Sequence, residues 1–357
     1  MRLDELGEDA FLQELAQAAS DPKPHVALGI GDDAAVVCLP EGELALFATD
    51  ALVENVHFRL PQTAPRFLGR KAVAVNASDL AAMGGHPLAV LLSLTTRANE
   101  DVTTLRAIVD GVAERADSFD ASLVGGNLAV TDGPLVVDVS ILGSTEGKRY
   151  LKRSGGLANQ AVFVSGRIGA SACGRALLDA GVVLGSGGGV VAPESLGESP
   201  LQHAESAILA HIDPEPRLSL GRALAERGLA TACVDVSDGL SIDLHRLCRA
   251  SGVGARIYES ALPLAPALLS WERAFGREPL ERALGGGEDY ELLFSTSDAK
   301  AVEALRDETE CPLTRIGELT EQQGLVLVQR DGGERRLEPT GWDHFRPGSE
   351  GGGGRRL

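Results

Sequence analysis

The sequence predicts an α+β protein of two domains, and three observations carry that reading. Its 357 residues suffice for two average domains, each with its own core. Segments with helical apolar spacing are interspersed with short β-like runs. Around Gly143–Gly156 the composition turns polar and basic before a fresh apolar run opens at Gln160. The boundary is set there: 1–147 is the N-terminal domain, 148–345 the C-terminal domain, and 346–357 a disordered tail whose last ten residues are of low complexity.

The elements follow in chain order. Leu6, Phe11, Leu12 and Leu15 give a helix over 4–19. Strands Ala34–Leu39 and Leu44–Ala48 flank the turn Pro40-Glu-Gly42. An Ala-rich helix over Phe67–Met83 ends at Gly84-Gly85 and Pro87. A strand (Leu88–Leu94), a helix (Thr103–Phe119) and strands Ser122–Val124 and Leu135–Leu142 complete the first half. The second half reads as a strand (Gln160–Ser165), helices Ala170–Ala180 and Leu218–Arg227, and a strand Thr231–Val234. A helix Leu240–Ala250, a strand Ala255–Tyr258, a further helix, a strand Tyr290–Thr296, a helix Asp298–Glu308 and strands to Val328 follow. Residues 185–200 are too rich in Gly and Pro for an element and read as a mobile surface insertion.

Composition narrows the function. Lys and Arg number 33 against 51 Asp and Glu, a formal net charge of −18, so nucleic acid and anionic membrane are excluded as partners held by clustered cations. Five scattered cysteines without a C-x-x-C pair suggest neither a disulfide framework nor zinc. The acidic N-terminus lacks the pattern of a signal peptide, and no run approaches the length of a membrane span, so the expected location is the cytoplasm.

P-loop, dinucleotide-binding, zinc-protease and nucleophile-elbow signatures are absent. What recurs instead is an Asp at a strand end or Gly-rich turn. Gly29-Ile-Gly-Asp32-Asp33 taken alone reads equally as a hairpin turn, and Thr49-Asp50 ends a strand where a carboxylate is more often a cap. Asn76 and Asp79 share one helix face in an otherwise apolar pattern. In Asp235-Val-Ser237-Asp238-Gly239 an N-cap explains Ser237 or Asp238 but not Asp235. Gly285-Gly-Gly287-Glu288 permits close backbone approach to a ligand. Together these carboxylates suit Mg²⁺ and a phosphorylated substrate, with phosphoryl transfer as the chemistry. Lys71 and Arg153 are isolated cations that would either touch such phosphate oxygens or occupy the surface, where a lone Lys or Arg usually sits.

Six segments in this order resemble the thiamine-monophosphate kinase family: Gly29–Asp33; Thr49-Asp50 with Asn55-Val-His57-Phe58; Lys71–Gly84; Asp235–Leu240; Gly286–Leu292; and Gly341-Trp-Asp-His-Phe345. The resemblance covers about residues 6–345. It implies a fold of the aminoimidazole ribonucleotide synthetase superfamily, with N-terminal domains pairing into a homodimer through a shared β-barrel. It implies ATP-dependent phosphorylation of thiamine phosphate to thiamine diphosphate, the last step of that cofactor's synthesis, by direct transfer with several Mg²⁺ ions. Carried over by position, the metal ligands are Asp33, Thr49, Asp50, Asp79, Asn127, Asp235 and Asp238. ATP contacts are Gly126, Asn127, Arg153 and Ser237, and thiamine phosphate meets His57, Glu288 and Trp342. Glu288 would pair with the thiazolium or bind the pyrimidine, and Trp342 would stack on the rings or cover the core.

Two positions depart from the family pattern. Asn127 replaces an Asp frequent in relatives, keeping an oxygen ligand but losing a charge. Ala48 precedes Thr49 where relatives have a hydroxyl, so a metal contact there falls to the backbone carbonyl. No catalytic base is implied, because a phosphate monoester with a second pKa near 6 is largely dianionic at neutral pH and already nucleophilic. An aminoimidazole ribonucleotide synthetase would share the carboxylates but not His57, Glu288 and Trp342. Selenophosphate synthetase is disfavoured by the absence of Cys before Gly29. From another class, an acidic metal-binding scaffold would retain cations without turnover.

Overall fold

The computed structural model describes residues 2–6, 23–30, 34–147, 149–185, 189–196, 201–275, 279–309 and 311–342. The chain divides into two compact units, one of Met1–Leu80 with Gly85–Lys148, the other of Ala81–Gly84 with Arg149–Arg355. No described helix is long and apolar enough to cross a membrane.

In the first unit a short helix α1 (Leu3–Leu6) is all that is described of the helix predicted over 4–19. Strands β1 (Val26–Leu28) and β2 (Val36–Val37) pair antiparallel. Then come β3 (Glu43–Val53), α2 (Pro65–Ala82), β4 (His86–Thr96), α3 (Val102–Ser118), β5 (Ser122–Val130) and β6 (Val136–Glu146). The main sheet runs in the order β3-β6-β4-β5. Only β4 and β5 are parallel, as the α3 crossover between them requires. Asp101 starts α3, its side chain accepting the Thr103 amide at 2.9 Å.

Alternation fixes the two faces of this sheet. Leu52, Val90, Leu92, Leu94, Val137, Val139 and Ile141 are buried on one face, and Leu68, Leu80, Leu105 and Ile108 of α2 and α3 are buried as well. The two helices cross closely: a Cβ on Gly69 would lie 2.0 Å from the Ile108 carbonyl oxygen, and one on Gly111 2.0 Å from that of Arg66. On the other face Phe47 is 78% exposed and Leu91 46%. β5 runs on through Gly125-Gly126, past the end expected at Val124. A side chain at Gly126 would meet the Leu92 carbonyl at 1.9 Å, so glycine lets β5 lie flat against β4. The sheet is open, and among the described residues no barrel closes.

The second unit holds β7 (Ala161–Ser165), α4 (Ala170–Asp179), β8 (Val183–Leu184), β9 (Val190–Val191), α5 (Ala204–Ile212), α6 (Leu218–Glu226), β10 (Ala232–Asp235) and α7 (Leu240–Ser251). β11 (Gly254–Tyr258), α8 (Pro266–Phe275), α9 (Pro279–Gly285), β12 (Leu292–Thr296), α10 (Ala299–Ala304), α11 (Arg306–Thr309), β13 (Leu313–Thr320), β14 (Gly324–Val328) and β15 (Glu334–Arg336) follow. The seven-stranded sheet is ordered β10-β12-β7-β13-β11-β14-β15. Its central strands β7 and β12 are buried at every position, with the rings of Phe163 and Phe294 stacked at 5.8 Å.

The structure corrects several expectations. Residues 185–200 are not free of elements: β8 and β9 form a small hairpin, and Glu194–Leu196 make a 3-10 turn. α5 went unrecognised beside this Gly-rich stretch. The helix expected over Asp298–Glu308 breaks at Leu305, and Tyr290 lies before its strand in a left-handed conformation, φ 50°. The expected tail lies outside the described residues, as do Asp32 and Asp33.

Candidate functional site

Within the second unit, four of the expected residues, Ser237, Asp238, Glu288 and Trp342, are tied together by main-chain hydrogen bonds, and Asp235 adjoins them through Val236. β10 ends on Asp235, which is 2% exposed. The loop after it receives the segment 286–291 on its edge. Val236 donates to the Glu291 carbonyl at 2.8 Å, Glu288 to that of Ser237 at 2.6 Å, and Tyr290 to that of Val236 at 2.9 Å. Trp342 donates to the Asp238 carbonyl at 3.0 Å.

Backbone conformation at this junction is unusual. Gly287 has φ 67°, and a Cβ there would come within 2.8 Å of the Ser237 oxygen, so the close approach needs glycine. Glu288 and Tyr290 take positive φ without being glycine, at 57° and 50°. Such strain in two nearby side-chain-bearing residues is typical of a ligand-binding loop.

Asp243, on the first turn of α7, organises the loop that carries Ser237 and Asp238. Its Oδ2 accepts the amides of Ser237, Asp238 and Gly239 at 3.1, 3.0 and 3.1 Å. Arg246 donates from Nη1 to Asp243 and to Asp238, both at 2.6 Å. Burial, together with the charge of Asp235, pushes the Asp243 carboxyl up to about 7 against the pull of Arg246. Asp238 and Asp243 thus share one guanidinium.

Glu288 is held from the other side by His211 of α5, whose Nδ1 lies 3.2 Å from Oε2 and 3.0 Å from the Ser171 hydroxyl. Glu291 is 4% exposed and takes a two-pronged bond from Arg217, at 2.7 Å from Nε and 2.5 Å from Nη2. Burial disfavours the Arg217 charge, yet the Glu291 hydrogen bond and charge more than offset it and raise the pKa above the ordinary arginine value. Arg153 is exposed, and among the described residues its side chain has no hydrogen-bond or ion-pair partner.

In the first unit the expected residues are spread along the sheet. The Thr49 hydroxyl lies within 3.2 Å of Asp138 Oδ1, 3.1 Å of the Val139 carbonyl and 3.0 Å of the Ser140 hydroxyl. Asp50, its neighbour, is exposed and belongs to the opposite face of the strand. Gly126 and Asn127 lie on β5, Asn127 in register with Ser93 and through it with Asp138. Three strand spacings separate β3 from β5, about 14 Å, so Thr49 and Asn127 cannot bind one ion of the same chain.

On α2, Asp79 is half-buried, and Asn76 one turn earlier donates to the Ala72 carbonyl while its own Oδ1 is buried without a partner. Lys71 is 2% exposed, which removes it from the surface position expected of it. His57 accepts the Val53 amide on Nδ1 at 3.0 Å, leaving the ring proton on Nε2.

These donors fit Mg²⁺ better than a softer metal: they are carboxylate, amide and hydroxyl oxygens, with an orphaned buried oxygen at Asn76. No three His, Cys, Asp or Glu side chains among the described residues converge to hold an ion alone. Such an ion would therefore complete its shell with water and substrate phosphate.

Comparison with known proteins agrees in both halves. The model of the AIR synthase related protein N-terminal domain matches residues 31–145, and that of the C-terminal domain residues 179–330. The thiamine-monophosphate kinase of Escherichia coli strain K12 is 35% identical, covering 95% of this chain and 98% of its own. A crystal structure of thiamine-monophosphate kinase from Stenotrophomonas maltophilia K279a superposes with a TM-score of 0.75 at 33% identity, over 90% of this chain and 94% of that one. A structure described as AaThiL complexed with AMPPCP and TMP gives a TM-score of 0.72 at 29% identity, over 97% and 99% of the two chains.

Proposed function

The chain belongs to the thiamine-monophosphate kinase family, and from that premise we propose that it moves the γ-phosphoryl group of ATP directly onto thiamine phosphate with Mg²⁺ present. The activity, an ATP-dependent kinase yielding thiamine diphosphate, follows from the likeness to its relatives over nearly the full length. The mechanistic detail is the proposal. The observation that supports it best is the hydrogen-bonded junction of Asp235, Ser237, Asp238, Glu288 and Trp342.

Asp33, Asp50, Asp79, Asp235 and Asp238 would hold the ions, with Thr49 and Asn127 adding neutral oxygens. When bound, Mg²⁺ offsets the repulsion between the acceptor phosphate and the γ-phosphate. The chain's own groups do the positioning. Asp243 fixes the amides of 237–239, so Ser237 is set for the nucleotide. Arg153, an unengaged guanidinium, offers a fork to its phosphates, and Gly126 and Asn127 add backbone and amide contacts.

His57, Glu288 and Trp342 take thiamine phosphate. Glu288 brings a carboxylate for the cationic or pyrimidine ring, oriented by His211, and Trp342 brings an aromatic face. No side chain is assigned as a general base, since the acceptor dianion attacks as it stands.

A homodimer formed through the uncovered face of β3 and β4, where Phe47 and Leu91 are exposed, completes the proposal; two such open sheets facing each other would make the barrel. The place of work is the cytoplasm, where ATP is available. Incubating the purified protein with ATP, Mg²⁺ and thiamine phosphate and identifying products by mass spectrometry tests the reading. Equimolar ADP and thiamine diphosphate are expected; ADP with free phosphate, and no diphosphate ester, would sink it.

A further inference from the structure

Beside the edge strand β15 the second unit opens a cleft of about 730 Å³, a size that suits a small ligand. It shares no residue with the Asp235–Trp342 junction. One wall is α7, which presents His245 and Arg249 one turn apart. The floor includes Leu325 and Cys248, both 2% exposed. Arg335 is in register with Leu327, so it stands on the same sheet face as the buried Leu325 and Leu327 and forms the opposite wall. Gln322 adds an amide at the mouth.

The charges here are unbalanced in a telling way. Arg256 and Arg336, which also border the cleft, pair with Glu334 and Glu338. Among the described residues neither Arg249 nor Arg335 has an ion-pair or hydrogen-bond partner, although the chain carries 18 surplus negative charges. The one carboxylate lining the cleft, Glu334, is taken by Arg256. Two guanidiniums without a protein partner among the described residues, one on α7 and one on β15, line a cleft with an apolar floor and suit an anion that has more than one oxygen to share.

We propose that this cleft binds a small phosphorylated metabolite through its di- or triphosphate group, with Arg249 and Arg335 as the anchoring residues. Binding here needs no metal, whereas polyphosphate at the acidic junction does, and that difference provides the test. The full chain is titrated calorimetrically in excess chelator with inorganic phosphate, inorganic pyrophosphate or ADP.

Pyrophosphate is expected to bind one site per chain, about tenfold tighter than phosphate. The Arg249→Ala, Arg335→Ala double variant is expected to lose about tenfold in affinity, and the corresponding double Lys variant to recover only part of it, because an ammonium keeps the charge but not the fork. ADP binding as tightly as pyrophosphate identifies the polyphosphate alone as the recognised group; tighter ADP binding identifies a nucleotide. Both arginines are exposed, so folding is not at risk, and Arg249→Glu offers a second, charge-reversed check. Kinase turnover with saturating Mg²⁺ and substrates is expected to stay unchanged in the double variant. Absent binding in chelator, or equal affinity in wild type and the double Ala variant, overturns the proposal whatever the outcome of the kinase assay.

Discussion

The two units hold their candidate residues in opposite ways. In the second, Asp235, Ser237, Asp238, Glu288 and Trp342 come from three segments laced together by main-chain hydrogen bonds, with Asp243 gathering three amides at once. In the first, Thr49, Asp50 and Asn127 ride on strands of one sheet, and register alone sets their spacing. A laced loop places side chains close enough to share one ligand but depends on a few glycines and strained residues. A sheet spreads them at fixed intervals and tolerates local change, at the cost of never bringing distant strands together.

The largest expected effect bears on both designs. Asp50→Asn and Asp238→Asn should each lower kcat by about a hundredfold or more while leaving circular dichroism unchanged. Asp238→Asn also weakens the pair with Arg246, costing about 0.5 kcal/mol in urea titration because both groups are partly exposed. Wild-type turnover in either variant would break the metal-ligand assignment.

Next in size is Gly111→Val, expected to destabilise the first unit by about 3 kcal/mol, because its side chain would strike the Arg66 carbonyl where α2 and α3 cross. An unchanged urea midpoint would show that this scaffold yields more easily than described. Phe47→Asp should convert the proposed dimer into a monomer in sedimentation equilibrium. A variant that remains dimeric would remove the uncovered sheet face from the comparison.

The smallest effect concerns pH. Asp289, next to Glu288, accepts the amides of Gly169 and Ser171, yet desolvation of its carboxyl pushes its pKa up to about 7. A carboxyl raised on folding favours the protonated native state. Its contribution is therefore full below the unfolded value near 4 and is lost as pH climbs toward 7. Relative to wild type, Asp289→Asn should gain about 2 kcal/mol of stability between pH 5 and pH 8 in denaturant titrations. A pH-independent difference would contradict the assignment.

Much of the second unit's candidate junction was legible because its signals are consecutive: Asp235 to Gly239 and Gly285 to Glu288 each announce a turn and a carboxylate within five residues. What stayed hidden depends on pairing. Asp138 and Ser140 look like ordinary polar positions of an alternating strand until register sets them beside Thr49. Arg217 and Glu291 are 74 residues apart in sequence. His211 lay in a helix whose start was obscured by the Gly-rich stretch before it. Only Asp243 left a trace, as an acidic residue on the first turn of its helix. The strand expected over Ser122–Val124 continues through Gly125-Gly126, where glycine serves close strand packing.

The strand order of the first sheet has a consequence for synthesis. β3 finds its partner β6 only after about a hundred further residues have been made, a wait of roughly 5–20 s on a ribosome. Through that interval Glu43–Val53, with Phe47 at its middle, is a nascent segment with its partner strand not yet synthesised. Vectorial production thus favours the α2–β4–α3 segment and the β4–α3–β5 crossover as the first pieces to form. The strand bearing Thr49 and Asp50 would be added last.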